Sequence, residues 1–196
     1  MSFFKKVFKI SSETSKDKAA KKQEVNLALD DSFVHHFIEK GGKFLYCTKK
    51  EEITSHINKI ILENNWKEIL CIDTDLSNHL DDMDIAVKNN INYSAPILTT
   101  CEHLIADNGD LLFSSNQLKS KKLASLSEHF IVYATTSQLV KDTGEGLTGI
   151  KTNFKGNIPT NISAIKNYSV NKNDDNFLNY GNSNSKNLYL LLFEDL

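Results

Sequence analysis

The chain has 196 residues, 40% of them hydrophobic, which suffices for one domain with a real core and leaves too little for a second. Its formal net charge is -2 and all 23 of its cationic residues are Lys, so without Arg any anion must be held by Lys, hydroxyls or backbone N–H groups. Residues 1–24 hold seven Lys and three acids, which leaves sixteen Lys and twenty-two acids for the remainder, an acidic body that argues against a general nucleic-acid surface.

Residues 1–24 read as a flexible basic arm, ahead of an α/β domain over residues 25–196. Within the arm, Phe3, Phe4, Val7 and Phe8 alternate with Lys5, Lys6 and Lys9, a short aromatic face suited to weak peripheral membrane contact through residues 1–10. The longest apolar run, Leu188 to Phe193, falls far short of the roughly 18 residues that cross a bilayer, and no secretory signal is evident, so a cytoplasmic location is expected. Cys47, Cys71 and Cys101 are odd in number, far apart and set in or beside apolar runs, the pattern of packed reduced thiols.

From Val25 the pattern is regular. Leu27, Phe33, Val34, Phe37 and Ile38 outline a helix that stops at Gly41-Gly42, and Lys43 to Thr48 follows as an apolar strand. Glu51 to Trp66 predicts a second amphipathic helix through Ile53, Ile57, Ile60 and Ile61, and Glu68 to Asp73 a second strand. Ser77 to Asn90 reads as a polar stretch. Tyr93 to Thr100 and Leu104 to Phe113 read as strands, the latter folded on Asp107-Asn108-Gly109-Asp110, where Asn-Gly supplies the positive φ angles of a hairpin. Lys119 to Leu126 predicts a brief helix, Phe130 to Ala134 a buried strand and Thr136 to about Lys141 another helix. Gly144, Gly146 and Gly149 read as a flexible connection, and Ile162 to Ile165 and Leu188 to Phe193 as strands separated by a long polar segment. Buried strands alternating with helices imply a single α/β domain, mostly parallel, with helices on both faces and one antiparallel hairpin inserted.

Dinucleotide and P-loop phosphate motifs are absent, and the histidines fit no zinc pattern, so neither a cofactor nor a metal is expected. The most distinctive stretch is Thr99-Thr100-Cys101-Glu102-His103-Leu104-Ile105-Ala106-Asp107-Asn108-Gly109-Asp110-Leu111. A strand ending in hydroxyls, then an acid, then a hairpin with another acid places Thr99, Thr100, Glu102 and Asp107 near one sheet end, with backbone N–H groups near Asn108 and Gly109 available to an anion. A solvated hairpin tip is the alternative.

This stretch resembles the lactate-utilization (LUD) domain family, whose motif has the form T-G-A-D-x-x-I-A-E-T-G-T. Thr99, Ile105, Ala106 and Gly109 match identically, and Glu102 and Asp107 replace the family's Asp and Glu. Glu128 to Val132 resembles the family's following strand, although its proline is missing. Lys166 to Asp175 keeps Ser169 and an acid at Asp175 from the family's C-terminal signature, and Gly181 and Leu188 to Leu192 fall on its second half, while its Gly-Pro, Thr-Ala-Asp and His-Gly-Pro are gone. Glycine lets backbone N–H groups approach an anion closely, so these losses bear on the ligand more than on the fold.

The resemblance implies a fold of the ribose-5-phosphate isomerase, glucosamine-6-phosphate deaminase and CoA-transferase type. It also implies a bacterial, non-redox accessory or ligand-binding subunit in lactate or other organic-acid utilization, alongside iron–sulfur oxidoreductase subunits. The ligand would be a small organic acid, a CoA ester or a phosphosugar, held by Thr99, Thr100, Asn108, Gly109, Lys166 and Ser169. The alternative is a CoA-transferase-like or sugar-phosphate-isomerase-like enzyme with Glu102, Asp107 or Asp175 as base or nucleophile, and a third is a degenerate scaffold acting through its basic aromatic arm.

Overall fold

The computed structural model describes residues 28–91, 94–154, 156–168 and 184–195. The arm at residues 1–24, Ser169 and Asp175 lie outside the described residues.

Helix α1 (Leu29–Glu39) begins with Asp30 and Asp31 in its first turn, where carboxylates complement the helix dipole. It buries Phe33, Val34 and Phe37 and ends as expected at the glycine pair, Gly41 taking φ +89 with its N–H on Ile38 O and the Gly42 N–H on Phe37 O. Strand β1 (Lys43–Cys47) follows. Helix α2 (Lys50–Glu63) is started by Glu52, whose carboxylate reaches back to the N–H groups of Thr48 and Lys49, and it buries Ile53, Ile57, Ile60 and Ile61 on one face.

The chain continues through β2 (Glu68–Cys71), a short helix α3 (Thr74–Ser77), β3 (Ala86–Lys88), β4 (Ile97–Thr100), β5 (His103–Ile105), β6 (Asp110–Phe113), a one-turn helix α4 (Ser115–Leu118), β7 (His129–Thr135), β8 (Leu139–Val140), helix α5 (Thr143–Asn153), β9 (Ser163–Ile165) and β10 (Asn187–Phe193). Six strands form one all-parallel sheet in the order β1-β10-β7-β4-β2-β3.

Period-two alternation sends successive residues of each strand to opposite faces. Ile69, Cys71, Leu98, Ile131, Tyr189 and Leu191 pack with the isoleucines of α2. Leu70, Ile97, Phe130, Val132, Leu188 and Leu190 join the core that also holds Phe33 and Phe37 of α1 and Leu104, Leu111 and Phe113 of the hairpin. Both faces are therefore covered, which is why these strands read as nearly continuous apolar runs.

Several local expectations are corrected. The hairpin β5–β6 does not join the main sheet: it is the centre of a second sheet, β8-β5-β6-β9, that lies in the core on the α1 side. The polar stretch contains the edge strand β3. Residues 119–126 hold only a 3₁₀ turn at Leu123–Ser125, the helical turn α4 coming earlier, and residues 136–141 form a 3₁₀ turn and β8 rather than a helix. The glycine-rich connection is the helix α5, capped by Asp142, whose carboxylate accepts the Glu145 N–H. Glycines are tolerated there because a Cβ at Gly146 would stand 3.3 Å from Ile105 Cδ1, and one at Gly149 2.9 Å from the His103 ring, so the helix lies directly on the small sheet.

Candidate functional site

The hairpin sorts the candidate residues into two groups at its two ends. At its closed end, Asn108 Oδ1 accepts the Asp110 N–H at 3.0 Å and the Gly109 N–H is donated to Ile105 O at 2.8 Å, so both residues are engaged in the turn itself. The turn presses on α1: Ser32 Oγ donates to Ala106 O at 3.1 Å, and a Cβ at Gly109 would stand 2.6 Å from Phe37 N. Tyr168 donates its hydroxyl to Gly109 O at 2.5 Å, and Lys40 Nζ reaches Asp110 Oδ1 at 2.8 Å. Asp107 is exposed, its N–H on Lys141 O. Lys166, also exposed, falls towards this end, because antiparallel pairing of Leu111 with Ile165 runs β9 back along β6.

At the open end, Glu102 links β4 to β5 and Ser114 links β6 to α4. Glu102 Oε1 accepts from Ser114 Oγ at 2.5 Å, Asn116 Nδ2 at 2.8 Å and Gln117 Nε2 at 3.2 Å. Ser114, fully buried, in turn caps α4 through the Asn116 N–H, and Gln117 Oε1 returns to the Ser114 N–H. Gln138 donates to Cys101 O and Glu102 O, tying the start of β8 to the same point. One carboxylate with three donors acts as a brace.

What the brace holds is the wall of a cavity of about 120 Å³. The floor comes from the main sheet: Leu70, Ile97, Thr99 and Phe130, with Ile72, Asp73 and Thr100 where β2 and β4 end. Asn116, Gln117, Leu118 and Lys119 close it from the α4 side, with Leu126 beneath. Its place follows from topology. After β4 the next main-sheet strand is β7, on one side, whereas after β2 it is β3, on the other. Neighbouring strands that send the chain in opposite directions leave a crevice outside their carboxyl ends, and ligands of open α/β sheets bind there.

Thr99 is buried and Thr100 half-buried, both residues line the cavity, and the Thr99 hydroxyl donates to Thr100 O at 3.2 Å. Burial, reinforced by Asp73, pushes the Cys71 thiol up to about 12, and burial with Glu102 raises that of Cys101 further. Both remain protonated and unreactive at neutral pH. Among the described residues no group of three His, Cys, Asp or Glu gathers as metal ligands.

Of the expected site residues, Thr99 and Thr100 line the cavity and Glu102 braces the turn that walls it, while Asp107, Asn108, Gly109 and Lys166 stand at the far end of the hairpin. The expectation that Asp107 joins Thr99 and Glu102 is corrected for a simple reason: the whole length of β5 separates it from Glu102. The amides and lysine of Asn116 to Lys119 and the Asp73 carboxylate are additions. The sequence signal for them was a polar segment next to strand ends, which a helix reading of residues 119–126 obscured.

The sequence model of the LUD domain family matches residues 87–193. The fold is similar to the crystal structure of a DUF162 family protein from Deinococcus radiodurans, with a TM-score of 0.57 at 12% identity over 85% of this chain and 96% of that one. No curated protein matches the chain in sequence. Among the described residues, no helix is long and apolar enough to cross a membrane.

Proposed function

Because the chain belongs to the LUD domain family, we propose that it is a ligand-binding subunit in organic-acid utilization, for lactate-like acids above all, with the ligand seated in the cavity at the carboxyl ends of β2 and β4. The observation that carries this reading is the position of the cavity at the switch point of the parallel sheet, beside Thr99 and Thr100. Its volume approaches the roughly 150 Å³ that accepts a benzene-sized guest and lies below the roughly 300 Å³ where sites for drug-sized ligands begin. A small acid suits that space. An apolar floor against hydroxyl and amide groups is the mixed lining that orients such a molecule.

The sequence carries no redox motif, so a redox step would belong to a partner, and iron–sulfur subunits are the proposed source. The direct test is calorimetric titration of the purified protein with lactate, pyruvate and glycolate. Saturable binding of at least one acid is expected, with a raised melting temperature and roughly tenfold weaker binding in Thr99→Val, the loss of about 1.4 kcal/mol. Absence of both heat and thermal shift with every acid tried would overturn the reading.

A further inference from the structure

Lys119 has a backbone that a lysine should avoid. It takes φ 53 and ψ -125, and the Lys121 N–H donates to Leu118 O at 3.0 Å, which makes Leu118 to Lys121 a turn of type II′ with Lys119 in the position that favours glycine. Its neighbours hold it there. The Lys119 N–H is fixed on Ser115 O at 2.9 Å, and Asn161 Nδ2 bonds both Lys119 O and Lys121 O, at 3.3 and 2.7 Å. A strained residue over-determined by its surroundings is the pattern found at ligand clamps. Of the described residues lining the cavity, Lys119 is also the one cation and Asp73 the one acid.

We propose that Lys119 is the anchor for a ligand carboxylate in this cavity, and that Asp73 restricts the ligand to a single negative charge. The inference rests on the ligand-binding reading and deepens it. The ammonium already bonds a neutral acceptor, Asn116 O at 2.8 Å, so an incoming carboxylate exchanges a carbonyl partner for a charged one and gains a stronger, charge-assisted bond. A second negative group, as in a dicarboxylate or a phosphate dianion, finds no further cation in the lining and meets Asp73. Asp73 itself is held in place by capping α3 through the N–H groups of Asp75 and Leu76, both at 3.0 Å.

The test compares lactate and propionate with malonate and inorganic phosphate, by calorimetry, on the wild-type protein, Lys119→Gly, Lys119→Met and Asp73→Asn. Glycine relieves the turn, so Lys119→Gly is expected to unfold at a higher urea concentration while binding the monoanions at least tenfold more weakly. Lys119→Met should lose the binding without the gain in stability. Asp73→Asn preserves the helix cap and is expected to admit malonate. Wild-type affinity in both Lys119 variants overturns the anchor and leaves the ligand-binding reading standing, and an unchanged monoanion preference in Asp73→Asn overturns the charge filter. Failure of the wild-type protein to bind any monoanion removes this inference and the reading together.

Discussion

Glu102 and Ser114, twelve positions apart, meet across the open end of the hairpin with Oγ 2.5 Å from Oε1, and this single bond couples the strand that carries the cavity hydroxyls to the turn that closes the cavity. Glu102 is thus a positioning residue: its carboxylate is engaged by Ser114, Asn116 and Gln117.

Removing that carboxylate should be felt in stability first. Glu102→Ala strands the buried Ser114 hydroxyl and is expected to cost about 2 kcal/mol in urea unfolding, with a matching loss of acid binding. Glu102→Gln keeps an acceptor and should lose about half as much. Equal midpoints for wild type and Glu102→Ala would show that the brace contributes nothing.

Gly109 makes a sharper prediction, because two independent constraints coincide there. Its φ of +70 disfavours any side chain, and a Cβ would stand 2.6 Å from Phe37 N and 2.8 Å from His36 C, backbone atoms that cannot step aside. Gly109→Ala is therefore expected to destabilise by about 3 kcal/mol or more. A loss below about 1 kcal/mol by chemical denaturation would mean that α1 and the hairpin turn move apart freely.

Most of the fold was legible where local and tertiary preferences agree. Gly41-Gly42 stops α1, the isoleucines of α2 repeat on one face, and β7 and β10 are apolar because both sheet faces are covered. Strand β3 was not legible: Val87 is exposed and three residues pair only along the edge of β2, so burial leaves no pattern in them. Gly146 and Gly149 mislead for the opposite reason, since close contact of α5 with Ile105 and His103 selects small residues against their helix propensity. At the site, the hydroxyls of Thr99 and Thr100 announce themselves at a strand end. Asp107 resembles a partner for them only until the direction of the hairpin is known, and Lys119 matters through a turn type that Lys does not advertise.

The ion pair Lys40–Asp110 fastens the end of α1 to β6 with Asp110 at 5% side-chain exposure and Lys40 at 29%. Asp110→Ala leaves that ammonium facing a desolvated wall and is expected to cost about 2 kcal/mol, less than the roughly 3–5 kcal/mol of a wholly buried pair. Replacing both partners, Lys40→Met with Asp110→Leu, should recover most of the loss. A double-mutant cycle with no coupling energy would show that the two charges are stabilised separately.

Asp195 gives the pH dependence its sign. Its Oδ1 accepts from Thr136 Oγ1 at 2.7 Å and the Ser137 N–H at 3.0 Å, and Oδ2 accepts from Ser137 Oγ at 2.7 Å. Burial is the largest single influence and raises its pKa, but the hydroxyls of Ser137 and Thr136 with the Ser137 amide together outweigh it and bring the carboxyl from 3.8 to about 2. A carboxylate held below its unfolded value stabilises the fold at all pH above that value, and the contribution fades as pH falls through the folded one. The window is therefore between about pH 4 and pH 2. Because Asp195 is exposed, solvent screens the interaction and the slope rather than its size is the useful readout. Glu52 lies below its ordinary range through the Thr48 and Lys49 amides and adds to the acid-side slope in the same direction. Asp195→Asn is expected to lower the urea midpoint at neutral pH, to flatten the decline across this window, and to converge with the wild-type protein at its acid end. Parallel profiles for the two proteins would show that the Thr136–Ser137 cradle holds the carboxylate with no net gain.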